Sequence, residues 1–364
     1  MKILMLVHSL RRGGAERIVL ELALGLQDRG HKVEVASWLD VDEYPDARYS
    51  GITRHSIMAS SEYRWIRSIP ESAKKLREII DHFRPDVIQI HTPNVAWLLA
   101  WANSCVRCIH ILHGYGDITR EESFIALLIR QIHCLVARWT RTTLVTVSES
   151  MRPVAAKFFA VDREKVFAIP NGIDLEHFPF NKDKPKGRFN ILMLGTLSPN
   201  KGQRLGILAF RKILDRFPKA KLLIVGEGGD RTILESMIAE YCLEDSVCLA
   251  GRRDDITTVF AESDVLWQLS ESEAMPMVVL EAMASGVPVV GFDVRGTRDA
   301  VASEETGLLV PYGDIEAVVD TSIGLLSNVA DYRRLASNGR ERTEQFFAYD
   351  TMVEGHERVL LSKG

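Results

Sequence analysis

Two glutamates separated by seven residues, Glu273 and Glu281, carry the densest chemical signal in the chain. They lie in the run Ser270-Glu271-Ser272-Glu273-Ala274-Met275-Pro276-Met277-Val278-Val279-Leu280-Glu281-Ala282-Met283-Ala284. Proline suits the first positions of a helix, so Glu273 falls just before one and Glu281 about a turn and a half inside it. There Glu281 is surrounded by valine, leucine, alanine and methionine, and a carboxylate in apolar company needs a partner. Vicinal sugar hydroxyls suit a carboxylate that accepts two hydrogen bonds. The N–H groups of residues 274–277 open the helix and could receive a phosphate or a developing negative charge. The plainer alternative is that Glu281 is an exposed helix residue and Glu273 a cap.

Three glycine turns follow apolar strand-like runs. The first is Gly13-Gly14, after residues 3–7 and before the amphipathic pattern Ile18, Leu20, Leu22, Ala23, Leu26. Glycines at such a turn let the backbone approach a ligand and present N–H groups to an anion, or serve only a tight turn. The spacing is not G-x-G-x-x-G, which weakens a dinucleotide reading. The second turn, Gly195-Thr196-Leu197-Ser198-Pro199-Asn200-Lys201-Gly202, puts Lys201 where it can neutralise a phosphate. It lacks the G-K-[ST] ending of a P-loop, so Mg²⁺-dependent ATP hydrolysis is not expected. The third is Gly226-Glu227-Gly228-Gly229. His91 and His113 each stand at the end of an apolar run, where a histidine is either a structural hydrogen-bonder or a group facing a ligand cleft.

Positioning these residues falls to short aliphatic runs alternating with helical periods, the pattern of βαβ units and a parallel sheet. Strands are expected at 3–7, 32–37, 87–91, 109–112, 144–147 and 166–169, with helices at 15–27, 71–83 and 123–138. A second series has strands at 190–194, 221–225, 247–249, 265–268 and 288–291, with helices at 203–217, 231–241 and 276–285. The expected organisation is an α/β chain of two Rossmann-like doubly wound domains facing across a cleft. They are 1–175 and 189–345, joined by a linker at 176–188, with a last helix (346–364) crossing back onto the first.

A length of 364 residues agrees with two domains, and 46% hydrophobic with 26% charged residues excludes disordered, collagen-like and disulfide-scaffold classes. The net charge of −4 gives no reason to expect nucleic-acid binding, yet it is unevenly spread. Residues 1–170 hold 23 Lys+Arg against 19 Asp+Glu, and the remainder 22 against 30. Five cysteines argue against a disulfide framework and suit a reducing compartment. The lone C-x-x-C of Cys105 and Cys108 reads as buried small hydrophobes before it reads as a metal or redox pair. The apolar run after Lys2 is too short for a signal peptide, and no stretch approaches the roughly 18 apolar residues of a membrane span. The expectation is a soluble cytoplasmic chain.

The paired-glutamate block resembles glycosyltransferase family 4, whose signature is two glutamates at this spacing followed by A-M-A-x-G-x-P-V-V; Glu281 to Val290 reads EAMASGVPVV. Gly13-Gly14-Ala15-Glu16, His91, His113-Gly114, Ser148, Asn171-Gly172-Ile173-Asp174, Lys201-Gly202, Gly226-Glu227-Gly228, Gly251, Asp264 and Thr306-Gly307 occur in the same order as in that family. The resemblance covers nearly the whole chain. It implies a GT-B fold and a retaining, metal-independent transferase without cofactor, moving a sugar from a UDP- or GDP-sugar to a saccharide or lipid-linked acceptor. Such chemistry belongs to bacterial surface polysaccharide or glycoconjugate synthesis. By the same resemblance Glu281 binds the donor ribose and Glu273 the donor sugar, Lys201 neutralises the diphosphate, and Ala274, Met275, Pro276 and Met277 line the phosphate or sugar site. Gly13, Gly14, Gly195, Gly226, Glu227 and Arg252 join the donor site, His113 lies beside the transferred sugar, and His91 and Asn171 face the acceptor.

Two positions depart from the family pattern. Thr196 stands where an arginine is usual, leaving one cation fewer for the diphosphate unless Arg204, Arg252 or Arg253 compensates; Asp299 stands where glutamate is common. Arginines interleaved with apolar residues at 123–141 and 63–67 suit an anionic membrane surface, although for 123–141 a core-facing helix with a solvated face is the reading that comes first. The runner-up function is a nucleotide-sugar epimerase or hydrolase of the same fold acting without acceptor.

Overall fold

The structure is a computed structural model. It describes residues 1–44, 47–58, 65–102, 104–114, 131, 133–138, 142–181 and 189–362, less the side chains of 65–68 and 94. The chain divides into two compact units, Met1–Gly172 with Asp350–Gly364, and Ile173–Tyr349.

The first unit is built on a parallel sheet. Its strands are β1 (Lys2–Val7), β2 (Lys32–Ser37), β3 (Thr53–Ser56), β4 (Val87–Ile90), β5 (Arg107–Leu112), β6 (Thr143–Thr146) and β7 (Val166–Ala168), in the order β3-β2-β1-β4-β5-β6-β7. The order reverses at β1, which pairs with β2 on one side (Ile3 opposite Val33) and β4 on the other (Ile3 opposite Val87). Strands buried on both faces must be apolar throughout, which is why 3–7 reads ILMLV without alternation. Helix Gly14–Asp28 follows β1 and buries Ile18, Val19, Leu22 and Leu26. Helix Tyr349–Leu361 belongs to this unit from Asp350 onward. It buries Met352, Val353, His356, Val359 and Leu360, and the Arg107 guanidinium caps its end by donating to the carbonyls of Leu360 (2.8 Å) and Val359 (2.9 Å).

The second unit has strands β8 (Asn190–Leu194), β9 (Lys221–Val225), β10 (Val247–Gly251), β11 (Val265–Gln268), β12 (Val289–Phe292) and β13 (Leu308–Val310), all parallel, in the order β10-β9-β8-β11-β12-β13. Here the order reverses at β8. Helices Gln203–Arg216, Arg231–Glu240, Met277–Ala284 and Ile315–Ser327 are among those that cover the sheet. The core includes Trp267, whose indole N–H donates to Ser322 Oγ at 2.8 Å. Residues preceding β8 are tied into this unit: Ile173 N–H donates to Phe347 C=O (2.8 Å), and Arg340 reaches the carbonyls of Phe178 and Ala284.

Two strands escaped the sequence reading, for physical reasons. β3 is an edge strand of sequence TRHS with no fully buried residue, so it needs no apolar run, and β13 is only three residues long. Helix Trp65–Phe83 begins six residues before the expected 71 and carries Pro70 inside it. Helix Pro93–Trp101 is apolar nearly all round and therefore shows no helical period. The expected helix 123–138 lies outside the described residues apart from 131 and 133–138, as do the side chains of 65–67 and residues 63, 64 and 182–188. Cys105 is exposed while Cys108 is buried with its thiol donating to Val106 C=O; among the described residues no cluster of side chains could hold a metal ion. No described helix is long and apolar enough to cross a membrane.

Candidate functional site

In the second unit the loops after β8, β9 and β11 share one end of the sheet, and β8 and β11 flank the point where strand order reverses. Open α/β sheets bind ligands at that point. Glycine shapes all three loops because their backbones touch. Gly226, at φ +143°, would place a Cβ 1.9 Å from Gly195 O, and Gly195 N–H donates to Val225 C=O at 2.9 Å. Gly202, at φ +74°, would place one 1.9 Å from Leu269 O. Neither position accepts a side chain without moving backbone.

The second contact brings Lys201 to Glu273. The 195–202 loop packs on the 269–273 loop through Gly202 and through Glu271 N–H donating to Asn200 C=O at 2.8 Å. The Lys201 ammonium then lies 2.6 Å from Glu273 Oε1, with 29% and 11% of the two side chains exposed. Glu273 is fixed further by Gly296, whose N–H donates to Glu273 C=O at 2.9 Å and whose missing Cβ leaves room for that carbonyl.

Residues 274–277 are buried and lead into helix Met277–Ala284. Glu281 is 3% exposed on that helix, which removes the alternative of a solvated helix residue. Glu273 is likewise no helix cap: the cap position is Pro276, and its oxygen is turned to Lys201. Glu227 holds the loops together with its backbone, accepting from Leu197 N–H at 3.0 Å, while its carboxylate pairs with Arg231 at 2.9 Å.

Thr196 is exposed where a second cation would stand. Of the three arginines considered as substitutes, Arg204 donates to buried Asp230 at 2.9 Å and Arg253 pairs with Asp255 at 2.6 Å, while Arg252 is exposed. Sequence reasoning missed Gln268. Its amide nitrogen donates to Glu273 Oε1 (2.9 Å) and Ser270 Oγ (2.8 Å). The signal was present, since a glutamine closing the buried strand Val-Leu-Trp-Gln must find polar partners.

In the first unit His91 and His113 meet beyond β4 and β5. His91 Nδ1 lies 2.9 Å from His113 Nε2, which requires one ring to donate and the other to accept. Burial holds His113 down to about 4; burial and then the neighbouring rings of His113, His356 and His110 hold His91 well below the usual histidine range. His110 and His356 are both held to about 3, again chiefly by burial. This group is neutral at pH 7. Asn171 is buried next to Gly172, whose N–H points at Met352 Sδ from 3.1 Å.

The glycine turn after β1 is strapped within the first unit. Gly13 N–H donates to the Tyr44 hydroxyl at 3.0 Å, and that hydroxyl donates back to Gly13 C=O at 2.9 Å. Arg12 adds a bond from Nε to Glu43 C=O at 3.1 Å, and Glu16 occupies the space a Gly13 Cβ would need. No spacing rule links residues 13 and 44, so this strap was invisible in the sequence.

The family model "Glycosyltransferase Family 4" matches residues 12–177, and "Glycosyl transferases group 1" matches residues 174–342. The chain is 33% identical over 372 residues to the N-acetyl-alpha-D-glucosaminyl L-malate synthase of Bacillus anthracis, covering 95% of this chain and 93% of that one. It is 26% identical over 269 residues to the UDP-Gal:alpha-D-GlcNAc-diphosphoundecaprenol alpha-1,3-galactosyltransferase of Escherichia coli, covering 70% and 69%. Among solved structures, Anabaena HepE in complex with UDP and glucose is similar over 100% of both chains, with a TM-score of 0.85 and 22% identity.

Two outcomes follow from this geometry. Gly202→Ala should lower stability by about 1–3 kcal/mol in denaturant titration, since it strains φ and collides with Leu269 O. The neutral histidines make the first unit acid-sensitive. An unfolded histidine titrates near 6.5, so stability is complete above that pH and falls by about 1.4 kcal/mol per pH unit per group below it, down to the folded values of about 3 to 4. A melting temperature flat between pH 7 and pH 5 would contradict this.

Proposed function

The chain belongs to glycosyltransferase family 4, and from that premise we propose that this GT-B glycosyltransferase moves a sugar, with retention, from a nucleotide diphosphate sugar to an acceptor hydroxyl. The observation that carries the reading is the Lys201–Glu273 pair at the reversal point of the second sheet, where the Glu273 loop leads into the buried Glu281 helix. A cation beside a carboxylate suits a leaving diphosphate beside a polyhydroxyl sugar. Lys201 neutralises charge on the departing diphosphate, Glu273 accepts from sugar hydroxyls, and Glu281 accepts from the ribose.

No side chain needs to act as nucleophile on this reading. The diphosphate departs, the acceptor hydroxyl attacks the anomeric carbon from the same face, and a phosphate oxygen takes the acceptor proton. The protein positions the reactants and stabilises the leaving group. Neutral His113 suits a place beside the sugar, because an uncharged imidazole can hydrogen-bond a hydroxyl without repelling positive charge at the anomeric carbon. Lys201 and helix-opening N–H groups replace a metal ion, and Thr196 leaves Lys201 as the principal cation.

A UDP-linked donor is favoured over a GDP-linked one by the UDP named for both the Escherichia coli relative and the HepE complex. The acceptor class is a saccharide or a lipid-linked glycan, in line with the diphosphoundecaprenol of that relative's name. The arginine-rich segments 63–67 and 123–141 would hold the first unit weakly on the anionic inner face of a cytoplasmic membrane.

Incubation with UDP-glucose, UDP-galactose, UDP-N-acetylglucosamine and GDP-mannose, with and without a bacterial lipid extract, tests the assignment. Transfer should require the extract and survive EDTA; donor conversion without any acceptor would favour the epimerase or hydrolase instead. Lys201→Ala and Glu281→Ala, each folded, should lose about 100-fold or more in kcat/KM. Phosphatidylglycerol vesicles should sediment the protein at low salt and release it at high salt.

A further inference from the structure

We propose that Gln268 is a positioning residue for Glu273, holding that carboxylate in place when Lys201 turns from it to the diphosphate. The inference rests on the reading that Glu273 meets the donor sugar. Both protein donors converge on one oxygen: Glu273 Oε1 accepts from Lys201 Nζ at 2.6 Å and from Gln268 Nε2 at 2.9 Å. Oε2 takes no hydrogen bond from the described residues and is the oxygen left for a sugar hydroxyl.

The two donors differ in freedom. The Lys201 ammonium rides a four-carbon stem and is 29% exposed, so an arriving dianionic diphosphate can draw it away. Gln268 closes β11, is 4% exposed, and has both amide protons committed, one to Glu273 and one to Ser270 Oγ at 2.8 Å. Its orientation is unambiguous, since a carboxylate only accepts and the amide nitrogen must face it. Once Lys201 has moved, Gln268 is the remaining described side chain that donates to Glu273.

Gln268→Met keeps length and apolar volume and removes the donor. The test is calorimetric titration of wild type and variant with UDP-glucose, UDP-N-acetylglucosamine and GDP-mannose, each against its free diphosphate, UDP or GDP. The variant should bind the free nucleotide within about twofold of wild type and the nucleotide sugar about 10-fold more weakly, the expected cost of one hydrogen bond to a charged group. In a Glu273→Gln background the same substitution should cost less than about twofold, because its partner charge is already gone. Ser270→Ala, which leaves the amide but loosens it, should reproduce the pattern at about threefold.

Equal weakening of nucleotide and nucleotide sugar, or an equal cost in both backgrounds, overturns the positioning role. If Glu273→Gln keeps wild-type turnover, the donor-site reading itself fails. If Glu273→Gln loses turnover while Gln268→Met binds and turns over as wild type, only the role of Gln268 fails.

Discussion

The chemistry of the second unit depends on how closely two backbones can approach. Lys201 and Glu273 lie 72 residues apart in the chain and meet at 2.6 Å because Gly202 presses directly on Leu269 O and Asn200 C=O accepts from Glu271 N–H. A Cβ at position 202 would force the loops apart and with them the ammonium from the carboxylate. The same constraint repeats one strand away, where Gly226 meets Gly195 O. These glycines serve contacts between loops first, and whatever ligand they admit meets loops already set by their neighbours.

Polar groups behave differently in the two units. In the second, opposite charges are partly buried together, and a carboxylate that would be costly alone is held by an ammonium and an amide. Among four buried histidines of the first, burial removes charge instead. His91, His110, His113 and His356 are all neutral at pH 7, and the bond between His91 and His113 is one between uncharged rings.

Much of this was legible in order. Parallel strands buried on both faces leave continuous aliphatic runs, so β1, β8, β9 and β11 stood out, as did the helix after Pro276 and the paired glutamates that mark family 4. Among what escaped were elements that burial does not pattern: the polar edge strand β3, the three-residue β13, and helix Pro93–Trp101, apolar on nearly every side. The bonds between Gly13 and Tyr44, far along the chain, also escaped, because no local spacing announces them.

By itself the sequence determined residue types, their spacing and the periods that make strands and helices, since those follow from local geometry and hydrophobic burial. It therefore determined two α/β units, the glycine turns and the glutamate pair. Tertiary structure alone decided which polar atoms meet: Lys201 with Glu273, Gln268 with the same oxygen, His91 with His113, Tyr44 with Gly13. Hydrogen bonds act over about 3 Å, and only folding brings residues 5 to 72 positions apart within that reach.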